Sequence, residues 1–214
     1  MPDEPEIRYA VSISLEEAAF GCKKTVDIKT IEECSSCAGS GKVSYRSSAI
    51  CSRCHGDGQI YQSYPMPIDI PAGIEDGYQF HINTRAAPEQ KGKIPEELIV
   101  LVSVKAHSVF QRIGSDITYE LPLNFSQAAL GGEVPVPTLK GETKLKIPPG
   151  TQTGKVLRLK GKGIPHFGRH GRGDQLVKIL VVTPMELDEH QRWLLGQLAE
   201  KLPQPRVGKR KKRS

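Results

Sequence analysis

IDIPAGIEDGYQFHI, residues 68–82, has a second version further along the chain: LKIPPGTQTGKVLRL, residues 145–159. Each reads as an apolar strand, an I-P-x-G turn, a second glycine and an alternating strand. Upstream of each lies another matched pair. SLEEAAFGCKKTVDI, residues 14–28, resembles NFSQAALGGEVPVPT, residues 124–138: a short Ala-rich helical turn, a glycine stop, then a strand. A repeat of this size means one architecture used twice. Period-two alternation, as at Val11, Ile13 and Leu15 and again at Val26 and Ile28, implies half-buried antiparallel strands.

The spacing inside the repeat is unequal. Ala18 to Pro71 spans 53 residues and Ala128 to Pro148 spans 20, so the first copy carries 33 extra residues. Both of the chain's C-x-x-C-x-G-x-G motifs lie in that excess: CSSCAGSG, residues 34–41, and CSRCHGDG, residues 51–58. The reading is therefore a mostly β chain of two tandem, similar β-sandwich-like domains, with a small zinc-binding insert in the first and a C-terminal helix. The first β domain is expected over 5–108, interrupted by the insert at 31–63, and the second over 109–185. A helix over 186–203 and a basic, disordered tail over 204–214 complete the plan. The boundary falls near AHSVFQRIGSD, residues 106–116.

Four thiolates from two C-x-x-C pairs, 13 residues apart, suit a tetrahedral structural zinc site. Cys34, Cys37, Cys51 and Cys54 would fill the shell of one Zn2+ per chain, leaving no open position for a substrate or an activated water. Two disulfides or a dithiol redox pair are the alternatives. A reducing compartment disfavours the first, and neither pair is followed by a proline or aromatic typical of the second. His55 is a dispensable substitute ligand beside Cys54, and Cys22 reads as a partly buried free thiol. Such an insert has almost no core of its own, so metal and folding are coupled.

Other chemistry is sparse. The histidines are scattered, and no phosphate-binding glycine motif is present. GKGIPHFGRHGRGD, residues 161–174, reads as a long β-hairpin connection. No constellation for catalysis appears, so an enzyme is not expected. No apolar run approaches the roughly 18 to 20 residues of a membrane span, and the acidic N-terminus does not look like a signal peptide. A membrane is therefore not an expected partner, and the cytoplasm is the expected location. Of the net charge of +6, the tail 206–214 supplies six basic residues. Tyr45, Tyr61 and Tyr64 near Arg46 and Arg53 offer stacking surfaces, but their spacing is not distinctive. LDEHQRWLLGQLAEKL, residues 187–202, places Leu187, Leu194, Leu198 and Leu202 on one helical face. That stripe can pack on its own sheet or on a second copy.

In order and spacing, SLEEAAFG, the two cysteine motifs, IDIPAGIEDG, VPTLKG, KIPPGTQTGKVLRLKGKGIP and GRGDQLVKILVVTP resemble the C-terminal substrate-binding region of the DnaJ-family co-chaperones, over roughly residues 7–202. The resemblance implies a co-chaperone module that binds unfolded or non-native polypeptides and passes them to a 70-kDa heat-shock chaperone. It also implies a homodimer joined through the C-terminal helix. Carried over residue by residue, the client groove of the first domain would include Val11, Ile13, Val26 and Ile28, expected as an exposed apolar strip beside an open sheet edge.

Three departures stand beside the match. The family's J domain with its His-Pro-Asp motif has no counterpart in these residues, as in a piece of a longer protein or a J-less variant. The usual insert has four repeats and two zincs; the two repeats here look like the outer pair. Glu96 and Glu97 replace the usual Gly-Asp before LIVLV. Two further readings are a zinc-containing nucleic-acid-binding protein, with nucleic acid the less favoured partner, and a dimerising scaffold without its own client.

Overall fold

The computed structural model describes residues 7–43, 49–83 and 97–203. The basic tail, Tyr45, Arg46 and Glu96 lie outside the described residues.

Strand β1 (Ile7–Ile13) leads into helix α1 (Leu15–Phe20) through a capping box. The Ser14 hydroxyl accepts the Glu17 N–H, and the Glu17 carboxylate accepts the Ser14 N–H, so two orphan donors are satisfied at once. Gly21 stops the helix at φ 76°, and strands β2 (Cys22–Glu33) and β3 (Gln59–Ile70) then form a long antiparallel hairpin. β4 (Gln79–Asn83) and β5 (Glu97–Val104) complete a three-stranded sheet of order β1-β5-β4, with β1 and β5 parallel.

The second half repeats this path. After the short β6 (Gln111–Ile113), β7 (Asp116–Asn124) enters α2 (Phe125–Leu130) through a capping box of Asn124 and Gln127. β8 (Gly132–Thr138) and β9 (Gly141–Ile147) form the hairpin, and β10 (Val156–Leu159) and β11 (Gln175–Val182) close a sheet of order β10-β11-β7-β6. β11 runs parallel to β7 as β5 does to β1. The two matched sequence blocks touch each other in both halves. A Cβ on Gly21 would lie 2.9 Å from the Ile70 carbonyl oxygen, and one on Gly131 would lie 2.5 Å from that of Ile147. The helix-stop glycine and the I-P-x-G turn are one packed unit, which is why they recur together.

Each half is a sheet facing a hairpin, with the core between them. In the first, Val11, Ile13, Ala18, Ile68, Ile70, Ile74, Val100 and Val102 form one cluster; in the second, Leu121, Leu123, Val136, Leu145, Ile147, Val177 and Ile179 do so. This corrects the expected exposed strip. Val11 (7% exposed), Ile13 (1%) and Ile28 (0%) are interior, and Val26 is half-buried against the first cluster. The alternating side chains of β1 and β2 do share faces, but those faces look at each other across the sandwich.

A third cluster joins the halves: Leu15 and Ala19 of α1 pack with Phe110, Ile117 and Ile164. Arg112 donates across the joint to the carbonyls of Ile74 (2.6 Å) and Gly73 (3.0 Å). The loop 161–174 is the expected connection between β10 and β11, but it is also half of this joint. Ile164 is buried, Phe167 meets Tyr78 edge-on, and a Cβ on Gly73 would lie 2.4 Å from the Pro165 carbonyl oxygen.

Helix α3 (Glu189–Lys201) carries a capping box of Asp188 and Gln191 and has no buried residue. Leu187, Leu194 and Leu195 line a cleft against Phe125, while Leu198 and Leu202 stay open to solvent. No helix among the described residues is long and apolar enough to cross a membrane.

Candidate metal centre and strand edge

The β2–β3 hairpin is the stem that carries the cysteines, and it runs unbroken to Glu33 and from Gln59. The knuckles above it are related by an approximate two-fold. Cys34 N–H donates to the Gly58 carbonyl and Cys51 N–H to the Gly41 carbonyl, both at 2.9 Å. The residue after each second cysteine, Ala38 or His55, has positive φ. The final glycines explain the rest of the motif: a Cβ on Gly41 would lie 2.2 Å from the Gly56 carbonyl oxygen, and one on Gly58 would lie 2.1 Å from that of Gly39. Each knuckle's last glycine is thus packed under the other knuckle's first.

This crossing brings four sulfurs together. Cys34, Cys51 and Cys54 are buried and Cys37 nearly so, and all four Sγ atoms lie within 4.8 Å of one another. Cys34 and Cys51 are 3.9 Å apart and Cys37 and Cys54 3.7 Å apart. Zinc–thiolate bonds of about 2.3 Å at tetrahedral angles require sulfurs about 3.8 Å apart, so the cluster fits a closed four-sulfur metal site. Backbone N–H groups of Cys54 and then Arg53 pull the Cys51 thiol down to about 7, whereas burial leads the causes that push Cys37 up to about 11. His55 is exposed and outside the cluster, and Cys22 is a partly buried free thiol whose ionisation burial disfavours.

Three of the other histidines make local contacts. His107 pairs with Glu16 and stacks on Phe110, His166 bonds Ser115, and His190 stacks on Trp193. The aromatic residues of the stem do not form one stacking surface: Tyr61 is 80% exposed, whereas Tyr64 is half-buried and gives its hydroxyl to Glu32.

The resemblance implies an open sheet edge, but not which backbone groups line it. Among the described residues no strand pairs with the outer side of β2. Lys29 faces Ser63 in the ladder, yet its N–H goes to the Tyr9 hydroxyl at 3.1 Å, away from β3. Backbone groups alternate sides along a strand, so Thr25, Asp27 and Ile31 also turn their N–H and C=O groups outward. Their ladder partners agree: Pro67 faces Thr25 and Pro65 faces Asp27, positions where β3 needs no N–H toward β2. Those prolines leave the outer edge of β3 without two donors. In the second half, Pro135 and Pro137 stand where Thr25 and Asp27 stand in the first, and the Gln175 amide donates to the Pro137 carbonyl at 2.8 Å. The outer edges of β3 and β8 thus bear prolines, whereas those of β2 and β9 do not and have no paired strand among the described residues. The prolines of YPMP and VPVP were visible in the sequence, but their meaning depends on register.

Fold, repeated halves and cysteine knuckle define a class: tandem β-domain proteins with a zinc-knuckle-type insert in the first domain. A family model described as the DnaJ C terminal domain matches residues 7–184, and the chain belongs to that family. The chaperone protein DnaJ of Brevibacillus choshinensis is 46% identical over 235 residues, covering 91% of this chain and 63% of its own length. Those of Ruminiclostridium cellulolyticum and Geobacillus kaustophilus are each 37% identical, covering 91% and 89% of this chain and 62% and 60% of their own. The chain therefore spans a little over three-fifths of the curated relatives it matches. The match to Brevibacillus extends over more positions than this whole chain has residues, 235 against 214, so the alignment holds positions that this chain lacks.

Proposed function

We propose that the chain holds unfolded or non-native polypeptides in extended form, keeps them from aggregating, and passes them to a 70-kDa heat-shock chaperone. Membership of the DnaJ family supports the role, and the carrying observation is the outward row of backbone groups on β2. An extended client segment adds there as a further strand, its own N–H and C=O groups pairing with Thr25, Asp27 and Ile31. Backbone pairing is indifferent to sequence, which suits a holder of many clients. The half-buried Val26 and the core at Ile28 form the floor beneath that edge instead of an open strip. The exposed cross-strand pair Ile31 (59%) and Tyr61 (80%) extends an apolar surface toward the knuckle.

One Zn2+ per chain, on Cys34, Cys37, Cys51 and Cys54, fixes the end of the stem and belongs to this reading, as does a reducing cytoplasmic location. The insert is the outer pair of a longer four-repeat module, in keeping with the extra positions of the relatives. Helix α3 joins two copies. A 13-residue helix with nothing buried is marginal alone, and Leu194, Leu198 and Leu202 are 44–60% exposed. Two edges on one dimer then hold a chain more tightly than either alone.

The test copies the second half's own device. Thr25→Pro with Asp27→Pro removes two outward N–H groups and no ladder hydrogen bond. The variant is expected to keep its zinc content and fold and to lose suppression of model-protein aggregation. A folded variant that suppresses aggregation normally would place client binding elsewhere.

A further inference from the structure

We propose that Tyr9 is a displaceable cap on the client-holding edge, and that a client carbonyl must compete with its hydroxyl for the Lys29 N–H. This rests on the strand-edge reading above. Tyr9 projects from β1 toward the hairpin, and its ring packs against the cluster of Ile28, Met66 and Leu98. From there the phenol oxygen accepts the Lys29 N–H at 3.1 Å, the position a client carbonyl would take in strand addition. One hydroxyl thus imitates a neighbouring strand at one point of an edge that is otherwise open among the described residues.

The second half shows why the cap on the first is reversible. At the corresponding edge, Pro135 and Pro137 have no N–H to offer, and no side-chain rotation can restore one. Tyr119, at the place in β7 that Tyr9 has in β1, turns its ring to Phe110 instead, with centroids 6.0 Å apart. A proline closes an edge for good, whereas a tyrosine hydroxyl closes it until a better acceptor arrives. Exposed strand edges invite pairing with any passing strand, including the same edge of another copy. The cap sets a threshold: a segment that pairs continuously along the edge displaces the hydroxyl, and a brief contact does not.

Tyr9→Phe keeps the ring and removes the acceptor. The probe is a fluorescein-labelled, extended peptide alternating leucine with polar residues, titrated into the full chain with its zinc in place. Loss of one hydrogen bond that binding must break predicts roughly two- to tenfold tighter binding to the variant. Amide hydrogen exchange reports the cap directly. The Lys29 amide is expected to exchange slowly in the free wild type, quickly in free Tyr9→Phe, and slowly in both with peptide bound. Zinc content and thermal midpoint check that the variant is folded. In the unaltered protein, a shift of the Tyr9 ring resonances on peptide binding gives a readout that needs no substitution. Equal or weaker affinity in Tyr9→Phe, with the Thr25, Asp27 and Ile31 amides protected by peptide, overturns the cap alone. Absence of binding to both proteins, or binding that leaves those three amides unprotected, overturns the strand-edge reading and the cap with it.

Discussion

Substituting Gly41 with alanine should cost most of the knuckle's grip on its metal, although Gly41 is not a ligand. Its φ is 71°, a left-handed conformation in which a Cβ costs about 1–2 kcal/mol. The new Cβ would also lie 2.2 Å from the Gly56 carbonyl oxygen, which is backbone of the opposite knuckle and cannot rotate away. Relief requires the knuckles to part by close to 1 Å, judged against an ordinary carbon–oxygen contact. That motion strains the hydrogen bond from the Cys51 N–H to the Gly41 carbonyl and its mate from Cys34 to Gly58, at about 1 kcal/mol each. The total of about 3 kcal/mol corresponds to roughly 100-fold weaker zinc binding. Gly39 is the internal control: its φ is 76°, but the nearest atom to a Cβ is a Glu33 carboxylate oxygen at 3.7 Å, so Gly39→Ala should lose only about tenfold. Competition with a chromogenic zinc chelator measures both. Equal affinities for the two variants would refute the crossing of the knuckles as the reason for the motif's last glycine.

Val26→Asp with Ile28→Asp should unfold the first half, because Ile28 is fully buried; even Ile28→Ala is expected to cost about 2–5 kcal/mol, read from chemical denaturation. Arg112→Ala removes two charge-assisted hydrogen bonds across the joint, about 3 kcal/mol. Calorimetry should show the two halves unfolding more independently or at a lower midpoint than in the unaltered chain, and an unchanged thermogram would mean that the apolar cluster alone holds the halves. Leu194→Glu with Leu198→Glu should yield monomers by sedimentation, with the emission of the single tryptophan, Trp193, reporting the change; dimers of unaltered affinity would place the contact off this stripe. Glu17 is held below its ordinary range chiefly by Lys24 and then by the Ser14 N–H, so the α1 cap is at full strength above about pH 4.5. Its contribution should fade as pH drops through the depressed value, visible as a loss of acid sensitivity in Glu17→Gln.

Four cysteines at metal spacing, the glycines that flank them and a repeat interrupted by 33 residues were enough to place a zinc-type knuckle on one of two like domains. These are local facts: ligand spacing, positive φ and period-two alternation act between residues near in sequence, so they survive without coordinates. Only the tertiary structure could say what each face meets. Alternation shows that Val11 and Ile13 point one way and that Val26 and Ile28 do, but not that the two sets point toward each other and leave no strip exposed. GKGIPHFGRHGRGD reads only as a long β-hairpin connection because its buried contacts are made with Tyr78, Gly73 and Ser115, all distant in sequence. Which backbone groups line an open edge is more hidden still. Whether a proline or a tyrosine governs a strand's outer side depends on which of two alternating sets of N–H groups the ladder has already used. Register across β2 and β3, a contact between residues as far apart as Cys22 and Ile70, decides that, and no stretch of sequence carries it.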